Sequence, residues 1–344
     1  MEILRTPDER FASLQDWPHP PRYVDVPDGE GGSLRMHYVD AAPAATGPTR
    51  PGLILCLHGQ PTWSYLYRKL IPIWTAAGHR VVAPDLVGFG RSDKPTRTEV
   101  FSYARHVAWL TAFVEALDLR AIDLVCQDWG GLLGLRVVAE HPERFARVLT
   151  TNTGLPDGRG IPVEAAPALR ALYAKLPVPP TMREVALGFI EGAKSGTPAF
   201  LYWQKHCADS PRFTPQDVMR AMCPRLSEAE IAAYAAPFPD ERFLAAARRF
   251  PALVPILPDD VAIPDNQRAW EALGRFEKPF LTAFTDGDPV TQGMHLRFQT
   301  DVPGAAGQPH TTIRGAGHFV QEDAGPELAR IALDFFDERA VTVR

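Results

Sequence analysis

Apolar and polar positions along this 344-residue chain follow two rhythms. Continuous apolar runs of strand length alternate with longer stretches in which apolar residues recur at helical spacing. The runs are residues 52–57 (GLILCL), 79–84, 122–126 and 147–152. Such a run marks a strand covered on both faces, as at the centre of a parallel sheet. Between the runs, residues 64–77, 101–119 and 132–141 carry the helical period. In 101–119, Val107, Leu110, Val114 and Leu117 fall on one stripe. Strand and helix in regular alternation predict right-handed βαβ units and a mostly parallel sheet. Ahead of them, 22–26 and 33–39 flank Pro27-Asp28-Gly29-Glu30-Gly31-Gly32 and predict an antiparallel hairpin. Residues 1–22 read as an arm lying on the body, and the Ala/Pro/Gly/Thr-rich stretch 41–51 reads as a loop.

The rhythm breaks after Gly154. Up to Phe238 no strand is predicted, and helix starts recur instead. Thr181-x-x-Glu184 and Ser227-x-x-Glu230 match capping boxes, and Thr214-Pro215 matches an N-cap followed by proline at the first helical position. Helices over 243–249 and 266–273 lead back to strands over 278–285 and 311–314, and Leu328, Ile331, Ala332 and Phe335 stripe a closing helix. The expectation is an α/β fold: a mostly parallel eight-stranded sheet flanked by helices. Residues 1–154 and 237–344 form its core domain, and a helical cap, 155–236, is inserted after the sixth strand.

Charge and cysteine content narrow the class. A net charge of -5 with pI near 6.1 gives no footprint for nucleic acid or an anionic membrane. The four cysteines show neither CxxC spacing nor a metal-site pattern, so reduced buried thiols are expected. The charged start MEILRTPDERFASL has no apolar leader core, and no apolar run is long enough to span a bilayer. The expected setting is the cytoplasm.

The chemistry sits at strand ends. The stretch 123–134 (DLVCQDWGGLLG) reads as strand, sharp turn and helix with Asp128 at the turn. That is the layout of a nucleophile elbow, with small residues two positions to either side, here Cys126 and Gly130. Asp128, Asp288 and His318 then follow in the chain order nucleophile, acid, histidine. A serine nucleophile needs a base; a carboxylate is already ionised at neutral pH. It is a poor reagent for amides but displaces a leaving group from an sp³ carbon, forming an alkyl ester on the enzyme. His318 would then act on water in the second step, oriented by Asp288. Asp286, two residues earlier, is the rival acid. The oxyanion donors of this fold map to the backbone N–H of Trp129 and of Gln60. The Trp129 indole, a donor with no acceptor function, suits a departing halide in a dry pocket.

At this point the chain resembles a known family. HGQPTWSYLYRKLIP (58–72), PDLVGFGRSDKP (84–95), QDWGG (127–131), AYAAPFPD (233–240) and AGHFVQE (316–322) are similar to blocks of the haloalkane dehalogenases, in the subfamily whose acid follows the penultimate strand. The resemblance implies an α/β-hydrolase fold and hydrolysis of a small apolar halogenated alkane by water, with halide as a product. It implies no cofactor and no metal, and a monomer. It carries the second halide donor onto Trp203 and makes Phe200 a pocket wall. In a sister subfamily the acid is a Glu after the sixth strand; the matching residue here, Asn152, cannot ionise, which favours Asp288. Trp63 and Trp109 read as packing residues, and Asp85 and Asp93 as loop organisers. An epoxide hydrolase is the nearest alternative and would need cap tyrosines, for which Tyr173, Tyr202 and Tyr234 are candidates. A fluoroacetate dehalogenase would want Arg at 129, an esterase Ser at 128. A non-catalytic binding protein on the same scaffold would have lost a triad member.

Overall fold

The structure, a computed structural model, describes residues 1–43 and 52–337; most of the expected 41–51 loop lies outside the described residues. Its strands are β1 (Ile3–Leu4), β2 (Arg22–Pro27), β3 (Ser33–Ala41), β4 (Leu53–Leu57), β5 (Arg80–Pro84), β6 (Lys94–Pro95), β7 (Ile122–Gln127), β8 (Phe145–Thr151), β9 (Phe280–Thr285) and β10 (Thr311–Ile313). Eight of them form one sheet in the order β10-β9-β8-β7-β4-β5-β3-β2. The β2–β3 and β3–β5 pairs are antiparallel, and the rest are parallel. β1 and β6 pair separately, Ile3 opposite Pro95, so the N-terminal arm is stapled to the body by backbone hydrogen bonds.

The central strands are apolar because both their faces are covered. Ile54, Leu55, Leu124 and Val125 are all buried, and each such side chain contributes about 1.5–3 kcal/mol on leaving water. Helices Tyr103–Ala116, Trp129–Glu140 and Ile263–Leu273 pack together on one face, and Ile71–Ala76 and Val320–Asp337 on the other. β5 lies on one side of β4 and β7 on the other. The chain therefore changes direction across the sheet at the β4–β7 boundary. Loops leaving those two carboxyl ends diverge and open a crevice, the usual ligand position in such sheets. The register sets Leu57 beside Cys126 and Gln127 beside Thr151, so Asp128 and Asn152 emerge at one level, one residue beyond His58.

Two local expectations differ from the structure. Residues 64–77 are not one helix but a 3-10 turn, Ser64–Tyr67, followed by helix Ile71–Ala76. Pro72 has no N–H and its ring would collide with the carbonyl four residues back, so the helix restarts around it. The Thr181 capping box does not close: its hydroxyl bonds the Glu184 carboxylate and caps no backbone N–H. At Ser227 the box does form, and Thr214 caps the Asp217 N–H. Between β8 and β9 the chain builds helices Ala166–Lys175, Met182–Ser195, Phe200–Asp209, Pro215–Met222 and Glu228–Ala235 before it returns through Ala245–Arg249. A buried ion cluster ties the last of the five to the core. Arg68 bonds both Glu322 and Glu230, and Tyr234 donates to Glu322.

Candidate active site

Asp128 sits between β7 and helix Trp129–Glu140 with φ 50° and ψ -128°. A non-glycine residue there is strained, and strain of that kind persists only where the surroundings hold it. The Asp128 N–H donates to the Asn152 carbonyl at 3.0 Å, and the Thr153 hydroxyl donates to the Asp128 carbonyl at 2.7 Å. The helix starts at once, at Trp129 rather than Leu132, and crowds β4. A Cβ on Gly130 would lie 2.0 Å from the Leu57 carbonyl oxygen, and one on Gly59 would lie 2.1 Å from Asp128 Oδ1. Both glycines are required by close approach, one of helix to strand, the other of loop to carboxylate.

The loop after β4 reaches that carboxylate with its backbone. The Gln60 N–H donates to Asp128 Oδ1 at 2.8 Å, while no hydrogen bond forms between the Trp129 N–H and the carboxylate. The preceding Gly59 carbonyl is held by the Thr62 hydroxyl and N–H and lies 2.9 Å from His58 Nδ1. Pinning that carbonyl fixes the peptide plane and aims the Gln60 N–H. The Gln60 side chain turns away and donates to the Ala247 carbonyl at 2.9 Å.

His318 follows β10 and is buried. Its Nε2 lies 3.5 Å from Asp128 Oδ2 and its Nδ1 lies 3.1 Å from Asp288 Oδ1. Asp288 is 3% exposed and also accepts from the Val290 N–H, the Thr291 N–H and the Thr291 hydroxyl. Burial pushes its pKa up, but His318 and those donors outweigh burial and hold it at about 2. Burial works the other way on His318. The charge of Asp288 and the hydrogen bonds to Asp128 and Asp288 outweigh it, raising the imidazole to about 10. Asp286 is exposed and accepts from the Gly315 N–H at 2.8 Å. Asn152 does not touch the His318 ring. Its amide donates to the Gly317 and His318 carbonyls at 3.0 and 2.9 Å. A neighbour that sequence reasoning missed is Gln127, whose amide nitrogen lies 3.0 Å from His318 Nε2 and 3.2 Å from the His318 carbonyl. The only sequence signal for it is adjacency to Asp128.

A cavity of about 360 Å³ opens above these groups. Asp128, Trp129, Gln60 and His318 line it from the sheet side, and Met182, Val185, Phe200, Trp203 and Ala221 from the helical segment. Among the described residues no Arg or Lys lines it. Among the described residues neither the Trp129 nor the Trp203 indole N–H has a protein acceptor. Trp63, Trp74 and Trp270, by contrast, donate theirs to backbone carbonyls. Trp63 and Trp109 are both buried away from this cavity, and Asp85 and Asp93 serve their loop through backbone and arginine partners. Tyr173, Tyr202 and Tyr234 do not line the cavity either, so an epoxide would find no acid from them. Phe200 and Val290 also line a second cavity, which reaches Asp128 and Trp129 from another side. Chemically, the arrangement offers a carboxylate with one oxygen held and the other beside an imidazole. Two free indole donors share the same apolar space.

Comparison with known proteins gives a consistent picture. Residues 52–191 match the alpha/beta hydrolase fold family. A haloalkane dehalogenase of Psychrobacter cryohalolentis is 46% identical, over 98% of this chain and 99% of that one. Haloalkane dehalogenase 1 of Mycobacterium tuberculosis is also 46% identical, over 97% of this chain and 99% of its own. Among solved structures, haloalkane dehalogenase DpaA from Paraglaciecola agarilytica, described as tetrameric, superposes with a TM-score of 0.73 at 33% identity, covering 99% of this chain and 100% of that one. The sheet is that of an α/β-hydrolase.

Proposed function

The chain belongs to the haloalkane dehalogenases, and from that premise we propose how its own residues divide the hydrolysis of a carbon–halogen bond into two steps. The observation that carries the reading is the pair of unpartnered indole donors, Trp129 and Trp203, in an apolar cavity that also holds the Asp128 carboxylate. In the first step Asp128 Oδ2 attacks the halogen-bearing carbon in line and forms the C–O bond as the carbon–halogen bond breaks. Oδ1 stays on the Gln60 N–H. The leaving halide gathers charge where Trp129 and Trp203 present N–H donors, and a site that excludes water strengthens each such bond.

In the second step water attacks the ester carbon, and its proton goes to His318 Nε2. The Gln60 N–H, joined by that of Trp129, stabilises the oxyanion. Collapse of the intermediate releases the alcohol and restores the Asp128 carboxylate. The charges time the steps. While Asp128 is an anion it helps hold His318 protonated. Esterification removes that anion, so the imidazole pKa falls and His318 becomes a base when water needs one. Asp288 fixes the proton on Nδ1 and steadies the imidazolium.

In this reading residues 155–236 act as a cap that supplies Trp203 and Phe200 to the pocket. Among the described residues no helix is long and apolar enough to cross a membrane; the reading places the protein in the cytoplasm. It takes the working unit as a monomer, which sedimentation tests against the tetramer described for DpaA. The decisive experiment incubates the protein with 1,2-dibromoethane and follows bromide and acid release. Bromide from the native protein and a single-turnover bromide burst from H318Q, with the ester retained on Asp128, are expected. An H318Q variant that binds substrate yet gives no burst overturns the division of labour.

A further inference from the structure

Among the described residues, the carboxamide of Gln127 is the hydrogen-bond partner of the His318 ring that the two steps above leave without a task. It ends β7, is fully buried, and immediately precedes Asp128. Its nitrogen stands 3.0 Å from His318 Nε2 and 3.2 Å from the His318 backbone carbonyl; once esterification of Asp128 leaves the imidazole neutral, both are acceptors for it. Its oxygen, Oε1, is buried with no hydrogen-bond partner among the described residues. A buried amide oxygen left unsatisfied destabilises the fold, so a glutamine here gives up stability for an acceptor beside the reacting groups. A methionine or leucine would fill the same space without that cost.

The two contacts of the nitrogen matter for the base. The neutral imidazole has a single in-plane lone pair at Nε2, and water must reach it to lose a proton. A donor already on that nitrogen blocks the approach unless it can let go. The His318 carbonyl gives the same N–H a second acceptor, so it can release Nε2 without becoming unsatisfied. Asn152 holds that carbonyl in place from the other side.

We propose that Gln127 positions the hydrolytic water. Its Oε1 accepts one O–H of the water, the other O–H is directed at His318 Nε2, and the amide N–H falls back on the His318 carbonyl. The water oxygen then forms its bond to the ester carbon while His318 Nε2 takes the proton, so Gln127 enters the balance only as a hydrogen-bond partner. This rests on the assignment of Asp128 as nucleophile and His318 as base. It predicts that Gln127 serves the second step alone: halide displacement does not use it.

The test separates the steps in the full-length protein by rapid mixing with excess 1,2-dibromoethane. Q127M removes both donor and acceptor; Q127N keeps a neutral amide but draws it back by one methylene. The expected result is a bromide burst at the native rate in both variants. Ester hydrolysis slows about tenfold or more in Q127M, the loss of one hydrogen bond at the reacting water, and slows less in Q127N. The ester on Asp128, read by intact-protein mass spectrometry, accumulates in the order native, Q127N, Q127M. Native-rate hydrolysis in Q127M overturns the proposal, as does an equal fall of burst and hydrolysis, which marks a packing role. Should Q127M not fold, Q127N decides: native-rate hydrolysis there overturns the proposal. H318Q in parallel keeps the underlying reading distinct, because absence of its burst removes that reading whatever Gln127 does.

Discussion

Trp203→Phe is the sharpest probe of the proposed halide site. Phenylalanine keeps an aromatic ring to pack edge-on against Phe213 and deletes the pyrrole portion of the indole with its N–H, which no protein atom uses. Stability therefore changes little, while a donor to a developing anion is lost. Hydrogen bonds to charged groups contribute about 1.5–3 kcal/mol, which corresponds to roughly a ten- to 150-fold slower displacement step. Trp203 is only partly buried whereas Trp129 is 2% exposed; water near Trp203 screens its bond, so the lower half of that range is expected, with a larger loss for Trp129→Phe. The assay is stopped-flow release of the first equivalent of bromide, with bromide affinity from quenching of tryptophan fluorescence. Both should weaken together, and hydrolysis of the preformed ester should not change. A W203F variant that displaces bromide at the native rate, with native bromide affinity, refutes the assignment of Trp203 as a halide donor.

Two further outcomes test the electrostatics. The folded-state pKa of His318 is raised from 6.5 to about 10. Its contribution to stability is therefore complete below pH 6.5 and disappears as pH rises through about 10; Tm of the native protein should fall across that window more than Tm of H318Q, and parallel curves would contradict it. At the ion cluster behind the His318 loop, the Arg68 and Glu322 side chains are 0% and 1% exposed. Glu322→Gln leaves Arg68 with Glu230 alone and should cost about 3 kcal/mol, measured by urea unfolding; a loss under about 1 kcal/mol would show the pair to be replaceable.

Much of the fold was legible because burial is periodic and therefore local. The apolar runs became β4, β5, β7 and β8, and the loss of alternation after Gly154 became the run of helices before β9. Boundaries went astray where one residue changes backbone rules: Pro72 broke one expected helix, and the Thr181 hydroxyl found a carboxylate instead of a backbone N–H. The β1–β6 pairing was invisible because two-residue strands carry no period.

The residue types at the site were readable from the chain itself. A carboxylate at the elbow selects alkyl-ester chemistry, and a tryptophan beside it suits a halide, whatever surrounds them. Which groups meet was decided only by the tertiary structure. Asp286 and Asp288 are equivalent in sequence, but the loop after β9 sends one to the Gly315 N–H at the surface and the other to His318. Gln60 acts through its backbone because its side chain is taken by Ala247, far along the chain. Gln127 reaches His318 across 191 positions. Hydrogen bonds and cavity walls of this kind join strand ends distant in sequence, and no local pattern of burial or charge encodes which of those ends will face each other.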